Sequence, residues 1–506
     1  MNRNILLATV DSSLKRASRW AALGLLLFSL EDVAQGQTDR PTSGFSVRQT
    51  RYDRAGRQNI ATQTSPVAPD AAETGPGSQP AVAPERESLF DSEPTPGTKD
   101  VPPPEEDQKP AQTNFLARLL GLEDSPVKIS GWIQNSYTGN TNGVPPNGTN
   151  FGVFPNHLAD RWQGNQYYLI LEKPLESNDR VNFGFRSDLL FGNDWQFTKS
   201  YGLFDRAFRP NSFAGVDFPQ IYGEVHLPIL TRQGLDVRGG RWYSPSGFEG
   251  VQAIRRPLLS VPYTLNFTPF TFFGVLGTLH LLEENRADLY FGTVNGWDRW
   301  IDRSYRWGFL GGYSLISRSK KTTFNMFCEI GPDQLPSYPP ANSPFLPTGV
   351  TPAPFLAGRR NTGYAANPRS YFSTLLIHQW SDRLTEAIQA DQVLDKNTPG
   401  FGPGGTNQST SWYALAHWLL YGFDDTQEKA RLTGVWRFET FRDNNGAATG
   451  VANTYFETSL GLIIKPRPWL WIRPEARYDW ARSGQPFNDG TRNSQLILDF
   501  DLIVLF

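Results

Sequence analysis

Between Ser494 and Phe506 apolar and polar positions alternate: Leu496, Leu498, Phe500, Leu502, Val504 and Phe506 fall on one parity, Gln495, Asp499 and Asp501 on the other. A period of two marks a strand with one apolar and one wet face. About twelve residues at ~3.3 Å each, tilted by about 40°, rise roughly 30 Å, the height of a bilayer's hydrocarbon core. Strand signals about ten residues long recur near 127–139, 165–173, 180–191, 219–227, 234–243, 271–282, 287–295, 306–316, 321–331, 370–380, 384–393, 411–422, 429–442, 454–465, 469–481 and 494–506. The pattern therefore predicts sixteen strands.

The connections sort by parity. After even-numbered strands they are short, as at 174–178, 228–233, 283–286, 317–320, 381–383 and 466–468; after odd-numbered strands they lengthen, as at 140–164, 192–218, 244–270 and 332–369. Transmembrane barrels have short periplasmic turns, long external loops and an even strand number that returns both ends to one side. A soluble sandwich has no reason to sort its connections this way. The expected fold is all-β, a transmembrane antiparallel β-barrel of about 16 strands spanning 125–506.

Composition fits this reading. A hydrophobic content of 39% and a mean hydropathy of −0.44 suit a barrel in which alternate residues meet lipid and the others water. Aromatic residues make up 13%, enough for interfacial girdles. A net charge of −2 with a pI near 6.3 supplies no basic field for nucleic acid.

Upstream of the strands, Lys15, Arg16 and Arg19 precede the apolar run from Trp20 to Leu30, and Ala34-Gln35-Gly36 places small residues at −3 and −1. This predicts a cleaved secretory signal over 1–36. Residues 37–113 are rich in Pro, Ser, Thr, Gln and charge, with too little apolar surface to offset ordering entropy, and read as a disordered Pro-rich periplasmic segment. A short helix is expected at 114–124, with Asn114 as its cap.

Faces follow from parity. In the third strand Val181, Phe183, Phe185, Leu189 and Phe191 oppose Asn182, Arg186 and Asp188; in the fourth, Ile221, Val225 and Leu227 oppose Gln220, Tyr222, Glu224 and His226. In the fifteenth, Ile472, Ala476, Tyr478 and Trp480 oppose Arg473, Glu475, Arg477 and Asp479. Four charges on one face of a strand do not tolerate lipid. Arg437, Glu439, Glu457, Asn325 and Glu329 extend the same wall. A barrel of this width is too wide for its own side chains to fill, so the charged face is expected to line an aqueous pore, and Arg477→Glu is expected to fold while moving ion selectivity towards cations. Alternatively the four charges of the fifteenth strand neutralise one another as a scaffold. Loop 244–270, with Glu249, Arg255 and Arg256, is a candidate constriction loop, Glu249 facing the two arginines across a transverse field.

Four motifs then carry a resemblance: Gly240-Arg241-Trp242-Tyr243-Ser244-Pro245-Ser246-Gly247-Phe248-Glu249, Asn295-Gly296-Trp297-Asp298, Arg437 to Gly446, and Arg473-Pro474-Glu475-Ala476-Arg477-Tyr478-Asp479-Trp480. In this order they resemble the β-barrel porin-2 (OmpL-like) family over roughly 127–506. The resemblance implies an outer-membrane porin-like barrel passing small hydrophilic solutes or ions; the alternative is a structural or adhesive barrel without significant conductance. The final strand also resembles those of bacterial outer-membrane barrels, whose last Phe, here Phe506, is read by the barrel-assembly machinery. Other expected partners are outer-membrane lipid and, by analogy with sixteen-stranded porins, two further copies in a homotrimer.

An enzyme is disfavoured. His157, His226, His280, His378 and His417 stand at no recognisable spacing from Asp and Ser, no HExxH or Cys cluster offers metal ligands, and no cofactor motif is present. The lone Cys328 cannot form an intramolecular disulfide.

Overall fold

The computed structural model describes residues 115–122, 125–146, 148–152, 154–175, 180–200, 202–204, 214–301, 307–331, 368–398, 401–427 and 429–506. The signal and Pro-rich segments expected before residue 114 lie outside these residues. A helix of six residues, Phe115–Leu120, precedes the strands. Among the described residues no helix is long and apolar enough to cross a membrane.

Sixteen antiparallel strands follow: β1 (Lys128–Asn140), β2 (Arg161–Lys173), β3 (Asn182–Gly192), β4 in two segments (Gly215–Asp217 and Ile221–Leu227), β5 (Leu235–Tyr243), β6 (Thr271–His280), β7 (Ala287–Val294), β8 (Gly308–Ile316), β9 (Thr322–Gly331), β10 (Arg369–Ser381), β11 (Leu384–Thr398), β12 (Gln408–Gly422), β13 (Leu432–Asp443), β14 (Asn453–Arg467), β15 (Leu470–Ala481) and β16 (Ser494–Leu505). Each pairs with its sequence neighbours, and β1 also pairs with β16, from Trp132 opposite Leu505 to Asn140 opposite Ile497. The sheet therefore closes and has no edge, as a lipid-facing backbone requires. Gly131 and Phe506 exchange two backbone hydrogen bonds at the seam. A Cβ at position 131 would meet the Tyr168 carbonyl oxygen at 2.2 Å and the Phe506 ring at 2.6 Å, so only glycine lets the last residue lie against the first strand.

β4 departs from the sequence expectation. Its two segments both pair with β3, and the chain steps out between Asp217 and Ile221. Opposite the step, Gly240 adopts φ +134°, and Trp242 and Arg241 are both buried despite their opposite parity. The Arg241 guanidinium uses that placement to tie three segments together, donating to Asp217 (2.8 Å), the Phe218 carbonyl (2.6 Å), Ser200 (2.6 Å) and the Thr198 carbonyl.

The outer surface is apolar. Phe183, Val275, Phe291, Leu415, Leu460, Leu498, Phe500 and Leu502 are exposed. Near the long loops Trp162, Trp307 and Tyr413 point outward, and near the short turns Trp380, Tyr421, Phe423, Trp469 and Phe506 do so. These two belts bracket the apolar band as interfacial aromatics do. Inside, the barrel holds three apolar clusters to which loop 244–270 contributes: Tyr263 and Phe267 join Phe151, Trp242, Phe327, Tyr371 and Phe441; Ala253 and Leu258 join Trp132, Tyr168, Trp195, Trp418 and Trp471; and Val251, Val261, Leu265 and Phe270 join Phe154, Phe197 and Tyr243. The wall side chains alone do not fill a sixteen-stranded barrel. The inward loop supplies the missing volume.

Candidate functional site

Every charged residue singled out on the walls occupies the inner face, and the faces of β3, β4 and β15 alternate with the expected parity. Their surroundings differ from the sequence expectation of open water. Asp188, Glu329, Arg437, Glu439, Glu457, Arg473, Glu475, Arg477 and Asp479 are all buried, and Arg186 and Glu224 nearly so. The reason is loop 244–270, which contacts β2, β11, β13 and β15. Strands so far apart around a closed barrel are joined by one loop only if it crosses the interior.

The wall binds the loop largely through its backbone. Arg437 donates to the Ser260 carbonyl (2.8 Å), and Arg477 to the Val261 carbonyl (2.6 Å). Arg473 donates to the carbonyls of Ala253 (3.0 Å) and Arg256. In the other sense Glu475 accepts from the Ser260 N–H (2.9 Å), and Glu439 accepts from the N–H groups of Tyr263 (2.5 Å) and Thr264 (2.8 Å), at the start of the helical turn Tyr263–Asn266. On β11, Gln389 accepts from the Phe248 N–H (2.7 Å) and Asp391 from the Thr264 hydroxyl.

The charges also neutralise one another locally. Arg437 lies 2.5 Å from Glu457 and 3.0 Å from Glu249; Arg473 lies 2.5 Å from Asp501; Arg477 lies 2.8 Å from Asp479. Glu249 thus faces Arg437, and accepts from the Trp418 indole (2.6 Å). It does not face Arg255 and Arg256 across a gap. Arg256 is paired with Asp194 at 3.0 Å, and Arg255 gives its carbonyl to the Gly250 N–H. The field expected across a gap between Glu249 and the two arginines does not form, because Glu249 is turned to Arg437 and Arg256 to Asp194. On the opposite wall, Arg186 pairs with Glu172 (3.2 Å) and Asp188 (2.8 Å), Glu224 with Arg238 (2.9 Å), and Glu329 accepts from the Trp297 indole (2.7 Å). Buried ions cost several kcal/mol each unless paired and hydrogen-bonded, so this density of partners holds both loop and wall in one arrangement.

Sequence spacing did not reveal several members of the site. Asp194, Ser260, Tyr263, Thr264 and Asp391 meet residues more than sixty positions away. Nor did it reveal a chain of four buried groups on adjacent strands: His226 to Asp236 (2.6 Å), Asp236 to His280 (3.1 Å) and His280 to Asp288 (2.8 Å). Their separations reflect strand length and turn length, so no fixed motif announces them. His417 pairs with Glu386 (2.7 Å) on the outer face, and His378 meets Thr322 (2.8 Å).

Loop 141–160 also enters the structure's packing. His157 is buried, stacked on Phe154 with ring centroids 4.8 Å apart, its Nδ1 3.1 Å from the Pro155 carbonyl. Burial pushes its pKa down to about 4, against which the Pro155 hydrogen bond works weakly. The folded loop thus holds a neutral imidazole, while the opened loop binds a proton below about pH 6.5. Stability present above pH 6.5 is lost as pH falls towards 4, on the order of 3 kcal/mol in all. Protease cleavage within 141–160 is expected to rise between pH 7 and pH 4.5, and His157→Phe, which keeps the ring stack, is expected to flatten that rise.

Residues 126–506 match the family described as "Putative beta-barrel porin-2, OmpL-like". Comparison with curated proteins gives no match. Among solved structures, the chain is similar to the outer membrane channel DcaP of Acinetobacter baumannii (10% identity, TM-score 0.46, covering 75% of this chain and 97% of that one). It is similar also to Pseudomonas putida OprB at high pH (11%, 0.49, 79% and 99%) and to OmpT of Vibrio cholerae (9%, 0.42, 75% and 97%).

Proposed function

Because the chain belongs to the β-barrel porin-2, OmpL-like family, and is thus a porin-like channel of the outer membrane, we propose that it passes small hydrophilic solutes or ions by passive diffusion, with loop 244–270 as its constriction. The observation that carries this reading is the direct binding of that loop's backbone by Arg437, Glu439, Arg473, Glu475 and Arg477. In this reading the wall charges position the constriction, and solute meets what the loop leaves uncovered. Glu249, Arg255 and Arg256 belong to the constriction; Arg186 and Glu224, which keep some exposure, belong to the lining beside it, and the buried Asp188, Glu329, Glu457 and Asp479 support that wall from within.

Accessory assignments accompany this reading. Residues 1–36 are a signal removed after Gly36, 37–113 a periplasmic Pro-rich segment, and 125–506 the barrel. Phe506, at the seam with Gly131, is the residue offered to the assembly machinery, and the protein functions as a homotrimer in lipid. No cofactor enters this function.

One observation favours a second reading, a structural barrel without significant conductance: the interior at the level of the loop is packed with aromatic side chains. Planar-bilayer recording of the purified protein in a KCl gradient separates the two. Stable unitary steps are expected; persistent silence at high protein density would favour the structural barrel.

A further inference from the structure

Among the described residues, sixteen Asp and Glu are buried against nine Arg and Lys, an excess of seven carboxylates. The full chain holds 50 Asp and Glu against 48 Lys and Arg, so the imbalance comes from placement and not from composition. Most of the buried carboxylates have the partners given above. Asp499 on β16 does not. Its neighbour Asp501 is held by Arg473 (2.5 Å) and accepts from Gln134 (2.5 Å), whereas one Asp499 oxygen accepts from the Asn156 amide and the other, Oδ1, has no hydrogen-bond partner.

Barrel closure gives Asp499 its surroundings. It lies directly opposite Thr138 of β1 on one side and Glu475 of β15 on the other, all three on the inner face. Directly opposed side chains in an antiparallel pair have Cβ atoms about 4.5–5.5 Å apart, and like charges so placed repel. Thr138 is fully buried with its hydroxyl unpartnered, and so is the Oδ1 of the fully buried Asn156, whose amide reaches Asp499 from loop 141–160. Two carboxylates, a hydroxyl and an amide carbonyl thus converge, with three oxygens unmatched, and Arg437, 3.8 Å from Glu475, and Arg477, whose charge reaches Asp499, are the positive charges nearby.

We propose that the row Thr138–Asp499–Glu475, covered by Asn156, is a binding site for a hard, oxygen-ligated cation of the Ca2+ class. Carboxylate, hydroxyl and amide oxygens are the ligands such a cation takes, and two carboxylates place the affinity in the weak range of roughly 0.1–1 mM. The carboxylate excess of the interior adds a field that concentrates cations there. The site depends on the inner face and the closed seam, and not on conduction.

The test is a calorimetric titration of Ca2+ into the folded protein in detergent, with Tm followed in CaCl2 and in NaCl of equal ionic strength. The wild type is expected to bind one equivalent saturably and to gain Tm in CaCl2 alone. Asp499→Asn is expected to weaken binding at least tenfold and Thr138→Val several-fold, while Asp424→Asn, at a short turn far from the row, leaves it unchanged. If Asp499→Asn fails to fold, Thr138→Val decides. Absence of saturable binding to the wild type, or equal binding by wild type and Thr138→Val, overturns the proposal. A barrel that binds Ca2+ yet stays silent in bilayers counts against the channel reading and leaves this site standing.

Discussion

Replacing Arg437 by methionine is expected to release loop 244–270 from the wall and to lower stability by about 3–5 kcal/mol, the cost of breaking a buried ion network from one side. The guanidinium lies against Glu457, Glu249 and the Ser260 carbonyl and hydroxyl at once. Methionine fills much of the space but leaves Glu249 without its cation, and Glu457 with only Arg477 at 3.9 Å. Unpaired, these carboxylates are stable only if water reaches them, which requires the loop to move. Trypsin provides the readout. Pro257 bars trypsin from the bond after Arg256, and Arg256 is fully buried in the wild type, so cleavage of the Arg255–Arg256 bond should be slow there and fast in Arg437→Met. Equal protection in both would mean that Arg437 does not hold the loop.

The second large effect concerns adjacent residues on β15. Ala476→Glu places a carboxylate on the lipid face and should cost up to about 2 kcal/mol near the bilayer midplane, less than an arginine or lysine there. Arg477→Glu, expected from the sequence to fold and merely alter selectivity, should cost at least as much. Arg477 pairs with Asp479, donates to the Val261 carbonyl (2.6 Å) and lies 5.2 Å from the centre of the Tyr263 ring. A glutamate there would stand among Asp479, Glu457 and a backbone carbonyl with nothing to donate. Both variants should therefore lose heat-modifiable gel migration at lower temperature than the wild type. Normal folding of Arg477→Glu would show that the position faces water after all.

These two positions also mark what the sequence could and could not disclose. Alternation along 470–481 separates Ala476 from Arg477 because side-chain direction in a strand has period two, and the same rule located all sixteen strands to within a few residues. Parity tells which way Arg477 points. It says nothing of what stands there, since the bond to Val261 joins residues 216 positions apart. The same limit hid Glu249's pairing with Arg437, for which Arg255 and Arg256 looked the nearer partners along the chain. The step in β4 escaped notice because its cause, Gly240 at positive φ, lies on the neighbouring strand. Asp499 was legible as inward-facing, but its row with Thr138 exists only once the first and last strands pair.

The central claim is that loop 244–270 lies inside the barrel and sets the size of its passage. Single-channel conductance of a variant lacking residues 251–262, checked for folding by its heat-modifiable migration, tests it most directly against the wild type in the same salt. Small, stable wild-type steps that grow several-fold on deletion are the expected result; unchanged step size in a folded deletion variant would contradict the claim.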